Sequence, residues 1–532
     1  MLESPPNSPE PTPPALAVGE IDAPLAPQDT THSPIGENRG VVRAAVIIAL
    51  GNIIQRLLGM GREVVKANLF GASGLLSAYN VAALVPMTLY QLIVGGEMVT
   101  SSLVPVFSDY ASKKGTAEEV ALRRDDLWQV VSTVLSLATV LLLAVVLLVE
   151  LFAPQVAWLV GAHNFDDPAL YAITVDLMRL SMPAVLFLSL SSIITAVLYA
   201  LQRFTLPAFT VAAFNGTIII IALLRPTEID SLVWGLLLGS ILMVLLQLPA
   251  MRDARLRWNM NWNHPAVRRI VRLYLPIVGV LIVNQAVIWI SYRLAIQTGD
   301  ASITYMQYAT TLYQLPLGLV VMGLSIATLP MLAQQAQHDP LAFKRTLSQG
   351  LRLVVTLIVP ATFGLFALAE PIVALLFEHG QFLPQDTLIT AQVLRVYLLG
   401  LSFAAVDQML IYASYARKDT WRPALVGVIS LGFYLVVALV LLQPLGLLSL
   451  MAADASKHFL HTMLMMVVMY RHIGTLRGHG IGRALWKSLL AASITGLSAF
   501  LAYEALLGSF FASAPTTLLV RLVLVVVPAS VG

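Results

Sequence analysis

The chain has 532 residues, of which 58% are hydrophobic and only 11% charged, and its mean hydropathy is +0.80; ordinary soluble domains carry about 25% charged residues. These values exclude a soluble enzyme or a nucleic-acid-binding protein. They point to an all-α polytopic membrane protein, since a spanning helix needs roughly 20 mainly apolar residues. The net charge of +3 selects no partner, and the absence of cysteine excludes disulfides, thiolate catalysis and cysteine-ligated metal.

In chain order, residues 1–40 come first, rich in Pro, Ser, Thr and acids (Pro9, Pro11, Pro13, Pro14). Such a stretch buries no core and is expected to be a disordered tail. It lacks the basic-then-apolar pattern of a signal peptide. About fourteen transmembrane helices are expected after it, near 41–65, 75–98, 127–151, 172–200, 206–224, 231–250, 271–296, 303–330, 351–377, 388–414, 422–442, 446–470, 484–507 and 516–532. The last is short. The gaps alternate in charge. Even gaps are basic: Lys113, Lys114, Arg123 and Arg124 after the second span, then Arg252 to Arg269, Lys344 with Arg345, Arg417 to Arg422, and Arg471 to Lys487. Odd gaps are acidic, with Asp166, Asp167, Glu228, Asp230, Asp300, Glu378 and Asp386. Lys and Arg collect on cytoplasmic loops, so both termini are expected in the cytoplasm.

Two segments resemble each other. Tyr79–Pro105 and Tyr305–Pro330 each contain Thr-Leu-Tyr-Gln (88–91 and 311–314), an internal proline (Pro86, Pro316) and glycines (Gly95 and Gly96; Gly318 and Gly323). They lie six spans apart and therefore run in the same direction. Parallel repeats of this kind build two-lobed transporters with a cavity between the lobes. The expected division is an N-lobe at 41–255 (helices 1–6), a C-lobe at 265–442 (helices 7–11), and helices 12–14 at 443–532, with helix 12 completing the C-lobe.

A charge inside a spanning helix costs at least about 2.5–3.5 kcal/mol and usually faces a cavity or a partner. Span one carries Arg56, Arg62, Glu63 and Lys66. Arg62 and Lys66 share a face, and Arg56 lies about 60° away by helical geometry. They line a polar wall, unless the span ends near Met60 and leaves the last three at the surface. Arg293 either joins that cationic cavity or snorkels to the interface. Glu97, Asp407 and Asp454 are candidates for gating or coupling together with Glu63. Asp454 and Lys457, three apart, are equally readable as a structural pair, and His458 as a packed histidine. A basic cavity suits an anionic substrate, because Arg presents a flat bidentate donor to phosphate oxygens. No His/Asp/Glu cluster has metal-ligand spacing and no GxxxxGK[ST] loop is present, so no cofactor and no nucleotide hydrolysis are expected.

Four stretches carry a family resemblance: Gln55–Glu63 (QRLLGMGRE) with Leu69–Ala72 (LFGA), Leu315–Gly318 (LPLG) with Ile326–Pro330 (IATLP), Leu375–Phe382 (LLFEHGQF), and Tyr415–Thr420 (YARKDT). Through them the chain resembles the MurJ (MviN) lipid II flippases, a branch of the superfamily of multidrug and polysaccharide exporters, over nearly everything after residue 40. The resemblance implies two lobes around a cationic central cavity, a lipid-tail groove by helices 13–14, and alternating access in the bacterial cytoplasmic membrane. The implied cargo is a polyprenyl-pyrophosphate-linked cell-wall precursor. Membrane lipids, and possible contacts with cell-wall synthesis machinery, complete the implied partners. Arg56 and Arg62 match two cavity arginines of the family, and Glu63 its following acid. Other family arginines fall at Tyr90 or Gln91 and at Thr311, and family acids at Ser77 and Ser291. The alternatives are a flippase or exporter of another polyprenyl-linked glycan or amphiphile, a polytopic glycosyltransferase, or a scaffold without transport; short outer gaps disfavour the glycosyltransferase.

Overall fold

The computed structural model describes residues 34–112, 116–318, 322–509 and 517–531. Within them 87% of the chain is helical, with no strand among the described residues. The helices are α1 (Pro34–Phe70), α2 (Gly74–Val94), α3 (Gly96–Met98), α4 (Val104–Ala111), α5 (Ala117–Leu151), α6 (Ala153–Val160), α7 (Pro168–Ser181), α8 (Ala184–Ala200), α9 (Thr205–Leu224) and α10 (Asp230–Gln247) in the first half. The second half holds α11 (Pro265–Ile296), α12 (Ser302–Pro316), α13 (Met322–His338), α14 (Pro340–Ala367), α15 (Ala369–Phe377), α16 (Pro384–Ala416), α17 (Trp421–Leu445), α18 (Leu448–Ile473), α19 (Ile481–Ser509) and α20 (Leu518–Val531). Met1–Val46 is a unit by itself, described only as the start of α1; Ile47–Gly532 is the other.

Ten helical stretches among the described residues are long and apolar enough to cross a membrane, against about fourteen expected. The four expected spans outside that set are α1, α12 with α13, α18 and α20, and α20 has only 14 residues. The start of α1 also differs from expectation. It begins at Pro34, not at Val41; residues 1–33 lie outside the described residues. The physical reason is that apolarity marks where a helix enters the bilayer, not where it starts. Pro is pre-organised for a first helical position.

Local signals fix the ends of several helices. Ser73 Oγ accepts from Leu76 N at 3.2 Å ahead of α2, Thr116 and Glu119 form a reciprocal capping box on α5, and Asp339 Oδ1 accepts from the Leu341 and Ala342 amides of α14. The two repeat segments break alike. After α2 the chain passes Gly95 and a π-type turn, Val99–Leu103; after α12 it enters a π-type turn at Leu317–Gly318. The break after α2 frees carbonyls at its end, and Tyr274 Oη of α11 donates to two of them, Gln91 O (3.2 Å) and Leu92 O (3.1 Å).

In the first half α2 packs on α7 and α8, α10 on α8 and α9, and α5 on α8. In the second, α16 packs on α12, α14 and α18, α17 on α18, and α19 on α14. From Ile47 onward, α1 lies along α9 with small residues at the seam: Gly51 meets the Ala208 backbone, and Gly59 and Gly61 face Asn215 and Ile219. Inside the first half, Gln247 is fully buried and satisfied, donating to Ser191 O, Ser191 Oγ and Met243 O and accepting from Thr195. Arg521 docks α20 on the C-terminal end of α15, with Nη1 on Ala374 O at 2.8 Å and Nη2 on the Glu378 carboxylate, Oε1, at 2.9 Å. Between α10 and α11, Asp253 takes Arg203 (2.6 Å) and Arg124 as partners, and these hydrogen bonds hold its carboxyl down at about 2.

Candidate functional site

Helix α1 continues unbroken through Arg62, Glu63 and Lys66 to Phe70. The helix itself therefore does not end near Met60. Three residues within two turns form one network. Arg62 gives Nε (3.0 Å) and Nη2 (2.8 Å) to Glu63 Oε1, and Lys66 Nζ gives to Glu63 Oε2 at 2.8 Å. Two neutral amides from other helices complete it: Asn215 Oδ1 of α9 accepts from Arg62 Nη1 at 3.0 Å, and Asn80 Oδ1 of α2 accepts from Lys66 Nζ at 3.3 Å. Lys66 also stands 5.4 Å from the centre of the Tyr79 ring. The Glu63 and Lys66 side chains are only 1% and 4% exposed, whereas Arg62 is 27% exposed. Buried charges persist only when paired and hydrogen-bonded, so Glu63 serves as counter-ion to both cations. The trio carries one positive charge in excess, and Arg62 opens toward free space. A guanidinium has five N–H donors. Arg62 spends three of them on Glu63 and Asn215, which leaves two for an anionic oxygen.

This network lies against the second half of the chain. Tyr292 of α11 and Tyr308 of α12 are within electrostatic reach of Glu63. Six residues earlier on α1, about 9 Å along the axis, Arg56 reaches the backbone of Gly318. A Cβ at Gly318 would collide with the guanidinium, so the glycine of the second repeat makes room for a cation from the first half.

The remaining candidates stand elsewhere. Arg293 packs its stem on Gly161 and its guanidinium 5.4 Å from the centre of the Trp158 ring, a half-exposed surface residue. The structure therefore does not bring Arg293 to the Arg62 network. Glu97 belongs to the short helix α3, and its side chain lies outside the described residues. Asp407 on α16 is buried and receives His461 Nδ1 of α18 at 2.6 Å; Asp454 pairs with Lys457 at 2.5 Å and has His458 Nε2 at 3.6 Å. The positions of the missing family charges hold neutral, hydrogen-bonded groups. Tyr90 bonds Ser192 (2.8 Å), Gln91 accepts from Gln285 (2.5 Å), Ser77 bonds Thr304 (2.9 Å), Ser291 bonds Tyr434 (2.7 Å), and Thr311 bonds its own helix. No group of three His, Asp or Glu among the described residues can hold a metal ion.

Next to the Arg62 network the two halves are latched at one end. Tyr308 Oη donates to Gly71 O (3.0 Å), Thr304 Oγ1 to Ser73 O (3.2 Å), and Gln381 N to Asn68 O (3.0 Å). Asp300 receives the amides of Asp166 (2.8 Å) and Asp167 (3.3 Å). Gly71 and Gly380 have φ of +61° and +59°, and a Cβ on either would collide with the opposing backbone, at Gln381 and Asn68 respectively. Gly380→Ala thus combines left-handed strain of roughly 1–2 kcal/mol with a clash that only separation relieves. The expected result is loss of the latch. A cysteine pair engineered at Asn68 and Gln381 checks it, in a chain that has no other cysteine: cross-linking should fall in the Gly380→Ala background, and unchanged cross-linking refutes the latch. At the opposite helix ends, Arg124–Asp253, Arg203–Asp253, Arg255–Asp125 and Arg422–Asp419 stay within one half, whereas Arg269 of α11 crosses to Asp109 of α4 at 2.7 Å.

Sequence reasoning missed Asn80, Asn215 and His461. The signal was present, since a lone Asn or His in an apolar span asks for a partner, and Asn215 sits in a helix otherwise made of small and apolar residues.

Comparison with known proteins follows the same lines. A family model described as lipid II flippase MurJ matches residues 66–524. A probable lipid II flippase MurJ of Bdellovibrio bacteriovorus is 27% identical over 481 residues, covering 88% of this chain and 90% of the relative. The lipid II flippase MurJ of Burkholderia cenocepacia is 27% identical over 398 residues, covering 73% and 75%. Among solved structures, a lipid II flippase MurJ in an inward closed conformation superposes with a TM-score of 0.74 at 22% identity, over 91% of this chain and 97% of that one. An inward-facing MATE-family multidrug transporter of the MOP superfamily superposes with a TM-score of 0.64 at 13% identity, over 82% and 99%.

Proposed function

The chain belongs to the lipid II flippase MurJ family, and from that premise we propose that it carries lipid II across the bacterial cytoplasmic membrane by letting Arg62 and Arg56 receive the pyrophosphate between the two halves. The carrying observation is the Arg62–Glu63–Lys66 network, which keeps a net positive charge buried with guanidinium donors unspent. A pyrophosphate brings oxygens that match a planar guanidinium fork. When it arrives, Glu63 retains Lys66 as partner while Arg62 swings toward the phosphate, so no charge is left alone at any stage. Arg56, deeper along α1 and held against Gly318, offers the second cation. The sugar and peptide follow the headgroup through the polar gap, and the polyprenyl tail stays in lipid. No covalent step is required of the protein.

Direction follows from the charge of the loops. With basic gaps on the cytoplasmic side, the latched end at Gly71, Ser73 and Asn68 faces outward. The pictured state is then closed outside; on the inner side the Arg269–Asp109 pair joins the halves, but both side chains are more than half exposed, so breaking it costs little when the inner ends separate. Release of lipid II outside requires the latch to break and the inner ends to meet, a rocking of two halves about the site.

The test is complementation of a bacterium depleted of its own lipid II flippase. Wild-type chain should restore growth and Arg56→Ala should not, with both present in the membrane at equal amounts. Growth restored equally by Arg56→Ala removes Arg56 from the site, and no growth with wild type favours another polyprenyl-linked glycan as cargo.

A further inference from the structure

The outer latch stands on a turn that is clamped from a distant part of the chain. Helix α20 carries one charge, Arg521, in an otherwise apolar and small sequence, and a cation in such a helix is costly unless a partner receives it. Arg521 is received where α15 turns into α16. Nη1 donates to Ala374 O at 2.8 Å and also to Glu378 O, and Nη2 donates to Glu378 Oε1 at 2.9 Å. The other carboxylate oxygen, Oε2, accepts from Thr387 Oγ1 of α16 at 2.6 Å. The two charged side chains are 12% and 15% exposed, so solvent ions screen the pair little.

We propose that Arg521 is a positioning residue for the outer latch: by clamping Glu378 it holds the α15–α16 turn in the shape that reaches α1, and so sets how readily the outer end opens. The inference rests on the flippase reading above for what the latch does in the cycle. Two of the latch contacts grow out of this turn. Gly380, two residues after Glu378, has φ of +59° and lies against Asn68, and Gln381 N donates to Asn68 O at 3.0 Å. Phe377 and Phe382 flank the turn and pack on the Tyr308 ring, with centres 4.8 and 5.6 Å from it. Tyr308 Oη is the donor to Gly71 O.

Phe377 lies in sequence between Ala374 and Glu378, the two residues that Arg521 grips. Release of Arg521 therefore loosens the last turn of α15, and with it the seat of Phe377 beside Tyr308 and of Gln381 beside Asn68. Asp386 adds a second hold, accepting from Leu383 N at 2.9 Å and from Tyr305 Oη of α12 at 2.7 Å. That hold ties the far end of the turn to the second half and leaves the Glu378 end to Arg521 and Thr387. An apolar residue at 521 would seat α20 in lipid without the cost of a charge. The guanidinium instead fixes one carboxylate and two carbonyls in a set geometry, which is what a flat fork of donors does best.

The test uses the full chain, which has no cysteine of its own. Ser77 is fully buried beside the latch and bonded across the halves to Thr304. A Ser77→Cys thiol in reconstituted vesicles should meet a membrane-impermeant maleimide, added on the latch side, only when the outer end opens. Its labelling rate then follows the open population. Arg521→Met should raise that rate at least about tenfold, the effect of losing one charge-assisted hydrogen bond. Arg521→Lys, which keeps the charge without the fork, should raise it less. Ser189→Cys, fully buried inside the first half, should stay unlabelled in the same background. An Arg521→Met chain that melts at a lower temperature yet labels at the parental rate makes Arg521 an anchor of α20 alone and overturns the proposal. Equal labelling of Ser189→Cys reports general loosening and also overturns it. If Arg521→Met fails to fold, Glu378→Gln decides, because it removes the charge that Arg521 grips: faster Ser77→Cys labelling supports the proposal and the parental rate overturns it. The labelling needs no lipid II, so absence of lipid II translocation by the wild-type chain counts against the flippase reading alone.

Discussion

Replacing Arg62 with Ala is expected to lower lipid II translocation by at least about a hundredfold while the protein stays in the membrane. The guanidinium is the one member of the buried network with appreciable exposure and unspent donors. Two charge-assisted hydrogen bonds to phosphate, each worth about 1.5–3 kcal/mol, together contribute roughly 3–6 kcal/mol, and every 1.4 kcal/mol is tenfold. Stability should change less, because Glu63 keeps Lys66 and Asn215 keeps a contact to Gln55 O at 3.5 Å. Arg62→Lys should fall between the two, retaining charge without the planar fork. Translocation is read from fluorescent lipid II in reconstituted vesicles and stability from thermal unfolding in detergent. A full rate in Arg62→Ala removes this residue from the site.

Replacing Glu63 with Ala is expected to be the most destabilising single change in the network. It strands Lys66, 4% exposed, and removes the main partner of Arg62. Removing one member of a buried ion pair costs about 3–5 kcal/mol because the other charge is left uncompensated. Asn80 Oδ1, at 3.3 Å, is then the remaining hydrogen-bond acceptor for Lys66 Nζ. The double variant Glu63→Leu with Lys66→Met should recover most of that loss, since a well-packed apolar pair of similar volume is nearly neutral against a buried ion pair. Melting temperatures of the two proteins decide it. If the double variant melts as low as Glu63→Ala, the cost lies in lost packing and not in stranded charge.

Much of this protein was readable from its residues because the bilayer imposes one-dimensional rules. Apolar runs separate from polar gaps, the gaps alternate in charge, and the repeat around Pro86 and Pro316 foreshadows two halves that break at matching glycines. The four-residue spacing of Arg62 and Lys66 also fixes a shared helix face without any fold. Tertiary structure alone decided what that face meets. Periodicity along α1 says nothing of which helix stands opposite, so Asn80 and Asn215, 14 and 153 residues away from their partners, appear only when α2 and α9 are packed beside it. The same reason separates Arg293 from the network and sets it on Trp158, and joins Asp407 to His461 across 54 residues. Hydrophobicity is summed along the chain, but a buried charge is satisfied in space, and only the packed helices determine where its partners stand.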